Sequence, residues 1–393
     1  MREVVILGAT RTIGGQFGGS FQDLTAPELG AAVVRESIRR SGITPDVIDQ
    51  TIFGNAWQAG VGPNAARLSS FMGGVPVEAP AVSVNVRCGS SIQALIFGAQ
   101  AIKAGDVDTV LVGGTESASQ IPYGLQRARW GYRMGNGELL DLMHKDGFRC
   151  PLGGGLMGEI TEWLAEEKDI CRQEQDAFAA ESHNKAEAAV KAGRFLDEVV
   201  PIEVKKKGEI ISVKDEEIYR KGVSAESLGK LPPVFKKGGT ITAGNACALC
   251  DAASAVVLMG REKAKALGLS PMALLRGYSF VGVDPKRFGI SPVKAIPVAL
   301  KTAGLTLGDV ELIELNEAFA AQYIVCEREL SLDRSKVNVF GGAIAHGHPV
   351  AATGTKLLTT LLYAMKYRDA TLGTVSMCIG GGNGVAAVVE RLT

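Results

Sequence analysis

The chain has 393 residues, 46% of them hydrophobic, and its 42 lysines and arginines balance 42 aspartates and glutamates. That length and apolar share predict a compact fold with two or three domains' worth of core. The charge balance supplies no global field for nucleic acid or an anionic membrane, so any anionic ligand has to be met by a local cluster of cations.

The N-terminal MREVVILGATRT has an apolar run at 4–7 that is too short for the hydrophobic region of a signal peptide. No stretch reaches the roughly 18 apolar residues of a membrane span. Short β-branched runs at 4–7, 51–54, 81–84 and 109–112 predict buried strands, and the periodic segments 27–41 and 90–104 predict helices between them. Alternation of this kind points to an α/β fold. From about 118 to 248 the text is charged, glycine-punctuated and irregular, with one long helix expected at 173–192, and it reads as an inserted loop domain. Regular α/β text resumes with strands expected at 253–259, 273–281, 312–314, 337–340, 374–377 and 385–389, and helices at 296–303, 317–328 and 353–366. The halves echo each other: Cys88 precedes a helix and then DTVLVGG, and His348 precedes a helix and then GTVSMCIGG. The expected division is 1–117, the insert 118–248, a return to the first half at 249–270, and a second half at 271–393.

Seven cysteines without a framework spacing suggest a reducing compartment, cytoplasm or organelle matrix. Cys247 and Cys250 form a lone C-x-x-C with no second pair, so zinc is not expected there. In NVRCGSSIQAL, Cys88 stands at a predicted helix N-terminus, where the dipole and free N–H groups favour a thiolate. Read alone, it could equally be a small packing residue. In GGAIAHGHPVAATG, His346 and His348 lie in a glycine-rich turn, and a histidine there suits proton transfer. In MCIGGGNG, Cys378 precedes glycines whose N–H groups are free to hold an oxyanion. In ELNEAFAAQ, Asn316 and Glu317 stand where a strand turns into a helix; a plain N-cap is the ordinary reading.

Together the stretches CGSSIQAL, TAGNA, NEAFAAQ, GGAIAHGHP and CIGGGNG resemble the thiolase family over the whole chain. The resemblance implies a thiolase fold of two repeated βαβαβαββ halves, each a five-stranded mixed sheet, with a loop domain emerging from the first. It implies Cys88 as the acylated nucleophile, His348 as its base, Cys378 as a second acid/base, and Asn316 holding a water that completes one oxyanion hole with His348. The N–H groups of Cys88 and Gly380 would form a second hole. Coenzyme A is implied as co-substrate, with no permanently bound cofactor and no metal. Met157, Arg220, Ala243, Gly244 and Cys247 match positions toward it. Homodimers or homotetramers are implied, and an accessory subunit is conceivable.

The chemistry fits those residue types. Cleaving a 3-ketoacyl-CoA needs a soft nucleophile that also leaves readily, which is what a thiol provides. The departing enolate needs hydrogen-bond donors at oxygen and a proton at carbon.

Some positions depart from the common family pattern. Leu156 stands where biosynthetic members carry histidine, Cys247 where many carry serine, and His346 where leucine is usual. With Arg87 and Phe288 they suggest an acyl pocket, lined by Arg87, Leu156, Phe288 and His346, for a longer, aromatic or dicarboxylic chain. Biosynthetic condensation to acetoacetyl-CoA is the alternative. Rival readings are weaker. GGGLMG at 153–158 fits a dinucleotide fingerprint by letter but follows no strand. A non-catalytic acyl-CoA-binding relative would be expected to lose the nucleophile or base, and a decarboxylating synthase would pair its cysteine with two histidines.

Overall fold

The structure is a computed structural model that describes residues 2–392. The first half contains β1 (Val4–Arg11), α1 (Ala26–Ser41), β2 (Gln50–Gly54), α2 (Ala65–Met72), β3 (Ala81–Val84), α3 (Ser90–Ala104) and β4 (Thr109–Glu116). An insert follows that includes α4 (Met157–Glu167), α5 (Arg172–Lys191) and a hairpin of Ile202–Lys206 with Glu209–Val213. The chain then re-enters the first sheet as β5 (Cys250–Gly260). The second half runs β6 (Ala273–Gly282), α6 (Ser291–Ala303), β7 (Leu312–Leu315), α7 (Ala320–Leu330), α8 (Thr353–Arg368), β8 (Leu372–Ile379) and β9 (Asn383–Arg391).

The first sheet is ordered β3-β2-β4-β5-β1 and the second β7-β8-β9-β6. They meet edge to edge in a short antiparallel pairing of Val5 with Leu274 and Ile6 with Ala273. The two repeated α/β halves expected from the sequence are therefore present, with two corrections. The strand expected at 337–340 is reduced to a single parallel bridge between Val337 and Ile313. The cause is Asn338, whose φ is 46°. The chain turns away there, and the side-chain amide replaces the strand backbone at the edge of β7, accepting from Leu315 N (2.9 Å) and donating to Leu315 O (2.8 Å). Helix α7 also starts at Ala320 rather than 317, which leaves Asn316 and Glu317 in the turn that follows β7.

Helices α3 and α8 are buried on nearly every side, as expected of helices that pack in a core rather than on a surface. They pack on each other and on strands of both halves. Gly354 permits the approach, since a Cβ there would stand 2.4 Å from Ile92 Cγ1. Side by side, the two helices bring their N-terminal turns to the same place, and those turns carry Cys88 and His348.

The insert is bolted to β1 by a buried ion cluster. Arg11, 1% exposed, donates from Nε to Glu198 (2.6 Å) and from Nη1 to Glu216 (2.5 Å), both carboxylates belonging to the insert. Its guanidinium also lies 5.0 Å over the Phe195 ring. Removing one partner of such a cluster strands buried charge. Arg11→Met is expected to lower stability by about 3–5 kcal/mol, measured by urea unfolding followed by circular dichroism; a loss below about 1 kcal/mol, the worth of an exposed pair, would contradict it.

Candidate active site

Cys88 sits in the turn Arg87–Gly89 that leads into α3. Arg87 has a φ of 56°, a conformation that residues with side chains seldom adopt and that functional turns often retain. Its N–H donates to Asn85 Oδ1 (3.0 Å), and Ser90 Oγ donates to its carbonyl (2.6 Å). Burial raises the thiol's pKa, while the Arg87 charge and the backbone N–H groups of Gly380 and Cys88 itself oppose that rise. Two N–H groups thus favour negative charge at this point. Gly380 reaches it because it lacks a side chain: a Cβ there would stand 2.7 Å from Arg87 Nη1 and 3.0 Å from Met157 Sδ.

His348 is buried, and its Nδ1 pairs with Thr353 Oγ1 at 2.6 Å. Its Nε2 has no hydrogen-bond partner among the described residues. Burial first, and the Lys356 charge second, pull its pKa down to about 3. It is therefore a neutral imidazole at physiological pH. Cys378, near the end of β8, is a buried free thiol whose pKa burial pushes far up, with Cys88 and Cys247 acting in the same sense. Cys247 is likewise pushed up to about 12. Asn316 is fully buried, and neither polar atom of its amide has a partner among the described residues. Such an amide is costly to bury unless water or a ligand satisfies it.

Cys88, His348, Cys378, Cys247, Met157, Phe288, Arg87 and Gly380 line one narrow cleft of about 70 Å³. A thiol, a neutral imidazole, a second thiol and two convergent N–H groups can together carry out nucleophilic acyl transfer.

Residues 4–262 match the thiolase N-terminal domain family and residues 269–391 the thiolase C-terminal domain family. The chain belongs to the thiolase family. It is 48% identical to an acetyl-CoA acetyltransferase of Pseudomonas aeruginosa over 392 residues, covering 100% of both chains. Among solved structures it is similar to the acetyl-CoA acetyltransferase of Syntrophomonas wolfei (TM-score 0.98, 39% identity, 100% of each chain). It is also similar to human mitochondrial 3-ketoacyl-CoA thiolase (TM-score 0.96, 39% identity, 100% of this chain and 99% of that one). The protein is thus a thiolase-family acyltransferase. Among the described residues no helix is long and apolar enough to cross a membrane.

Not every residue singled out in the sequence reaches the cleft. His346, expected at the acyl pocket, turns the other way: its Nε2 meets Phe340 O at 2.8 Å and its Nδ1 lies 3.8 Å from Glu216. The intervening Gly347, with φ 78°, sends the two histidines to opposite sides. Leu156 is half-buried at the start of α4, and its N–H donates to Glu159 Oε2 (2.7 Å). Arg220 is exposed in the insert, with its N–H on His183 Nδ1 (3.2 Å). Ala243 is exposed and Gly244 buried against Leu231.

Trp57, Phe148, Phe319 and Val350 line the cleft without having been singled out. Trp57 stacks edge-on to Phe148 at 5.4 Å, and Gly147 leaves room for it, since a Cβ there would fall 2.3 Å from the indole. The available signal was Gly147 beside Phe148. Glu116 was also missed. Its buried carboxylate accepts from Asn55 Nδ2 (3.1 Å), Ala56 N (3.1 Å), Trp57 N (3.2 Å) and Ala351 N (3.0 Å).

A histidine held near 3 stays a proton acceptor far into acid. The pH profile of kcat/KM is therefore expected to show no acid limb at 6.5, the ordinary histidine value. A limb there that is abolished by His348→Asn would contradict this environment.

Proposed function

We propose that the protein is a 3-ketoacyl-CoA thiolase that cleaves an apolar acyl chain longer than acetyl through a Cys88 acyl-enzyme. One observation carries this reading: the cleft that holds Cys88, His348 and Cys378 is walled by Trp57, Phe148, Met157, Phe288 and Phe319. The geometry disfavours a dicarboxylic chain. The Arg87 guanidinium is engaged by the Arg149 carbonyl (3.0 Å) and Met157 Sδ (3.7 Å), His346 faces elsewhere, and Asp146 also lines the cleft.

In this mechanism Cys88 passes its proton to His348 Nε2 as its sulfur attacks the keto carbon. The Cys88 and Gly380 N–H groups hold the resulting oxyanion, while His348 and a water on Asn316 receive the oxygen of the enolate that leaves. Collapse breaks the C–C bond, and the leaving acetyl-CoA enolate takes a proton from Cys378. The Cys378 thiolate then removes the proton of an incoming coenzyme A thiol, which attacks the thioester while the Cys88 and Gly380 N–H groups hold its oxygen. Cys88 leaves as thiolate and recovers its proton from His348. Met157 and Cys247 border the path of the pantetheine arm, with Ala243 and Gly244 further out, and the exposed Arg220 would meet the nucleotide phosphates.

The second reading, acetoacetyl-CoA synthesis on the same residues in reverse, has the names of several relatives in its favour. Self-association fits the exposed apolar side chains near the β3 edge, Phe71, Val77 and Val82, and those of the first insert loop, Trp130 and Met134.

Acylation with 3-ketooctanoyl-CoA and digestion should place the acyl mass on the Cys88 peptide. Each buried methylene is worth about 0.8 kcal/mol, roughly fourfold in kcat/KM. A 3-ketoacyl-CoA series should therefore rise from acetoacetyl-CoA to medium chains, and Trp57→Ala should move the optimum. Acetoacetyl-CoA exceeding every longer substrate would overturn the chain-length reading.

A further inference from the structure

Lys356 lies in the first turn of α8, on the same face as Thr353 three residues earlier. It is 4% exposed. Lysine is seldom buried so fully, and a cation near a helix N-terminus opposes the dipole. Where a local rule is broken in this way, function is the usual reason.

The ammonium donates to His346 O (3.1 Å) and Gly347 O (3.3 Å), the two carbonyls leading into His348. The same turn is packed on its other sides. A Cβ on Gly14 would stand 2.2 Å from His346 O, and one on Gly347 would stand 2.6 Å from Cys250 Sγ. His348 N donates to Ala248 O (2.9 Å). Thr353 thus holds the ring and Lys356 the backbone before it.

We propose that Lys356 is a positioning residue for proton transfer between Cys88 and His348, its ammonium fixing the 346–347 carbonyls so that the imidazole is aimed at the thiol. Lys356 contributes charge to the Arg11–Glu198–Glu216 cluster, yet its hydrogen bonds go to the two carbonyls rather than to a carboxylate. Lys356 faces Arg11 from β1, Glu198 and Glu216 from the insert, and Cys250 from β5. Among charged groups, it is Lys356 that acts on His348. Cys88, the other party to the transfer, faces Arg87 and Glu116. The lysine's field opposes the imidazolium that forms on transfer, so its contribution comes from aiming the ring.

This inference rests on reading Cys88 as nucleophile and His348 as its base, and the experiment separates the two. Acylation of Cys88 in the full-length protein is followed by rapid quench and mass spectrometry, beside steady-state kcat and KM. Lys356→Met, which keeps the volume and loses the charge, is expected to slow acylation and kcat together by about ten- to a hundredfold. KM should stay within about twofold, the mark of an interaction made in the transition state rather than in binding. Lys356→Arg, whose fork still donates to both carbonyls, should return kcat to within about threefold of wild type. Should Lys356→Met not fold, Lys356→Gln keeps a donor without the charge and should fall between the other two variants. Wild-type acylation in the Met or Gln variant overturns the proposal. So does an Arg variant as impaired as Met with a lowered Tm, because the lysine would then be only structural. If His348→Asn acylates at the wild-type rate, the base assignment itself fails.

Discussion

A single buried carboxylate fixes the geometry on which the rest depends. Glu116 ends β4 and gathers N–H donors from the 55–57 loop of the first half and from Ala351 of the second. Burial pushes its pKa up to about 7 against the pull of those donors. The loop with Trp57 and the turn after His348 are thereby referred to one point, and the cleft lies between them. Packed side chains alone would leave such loops free to shift by the fraction of an ångström that acyl transfer does not tolerate.

Desolvation runs through the site as a common theme. It raises the thiols of Cys88, Cys247 and Cys378 and lowers the imidazole of His348. Neutral forms are favoured at rest, so charge develops only as the reaction proceeds. Under the proposed mechanism it would develop beside donors already in place, the Cys88 and Gly380 N–H groups, in a setting where water does not weaken them. The apolar wall that would hold an acyl chain is the same wall that creates this low-dielectric setting.

Much of this was legible in the sequence. Cys88, His348 and Cys378 each sit where a regular element meets a glycine-rich or short turn, which is a local signal, whereas their meeting in one cleft with Gly380 was implied by the family resemblance. The repeat placed a helix after Cys88 and another after His348, but that the two pack on each other is visible only in the structure. What could not be read depends on contacts distant in sequence or on backbone handedness. Trp57 and Phe148 come from loops without periodicity and meet only in space. His346 shares a turn with His348, yet Gly347 in a left-handed conformation sends it into the Arg11–Glu216 cluster. The β-branched run at 337–340 looked like a strand, but the left-handed Asn338 replaced backbone pairing with its own amide. Periodicity carries no information about either turn.

The position of β5 has a consequence for how the chain is made. It lies between β1 and β4, paired with both, yet it follows the entire insert in sequence. During synthesis, β1 and β4 therefore emerge long before the strand that joins them, leaving hydrogen-bonding edges open until about residue 260 has left the ribosome. Closure brings residues 4–11 against residues 250–260, a contact of large sequence separation and hence slow formation. A nascent chain stalled within the insert would hold an incomplete sheet, the kind of intermediate that chaperones bind.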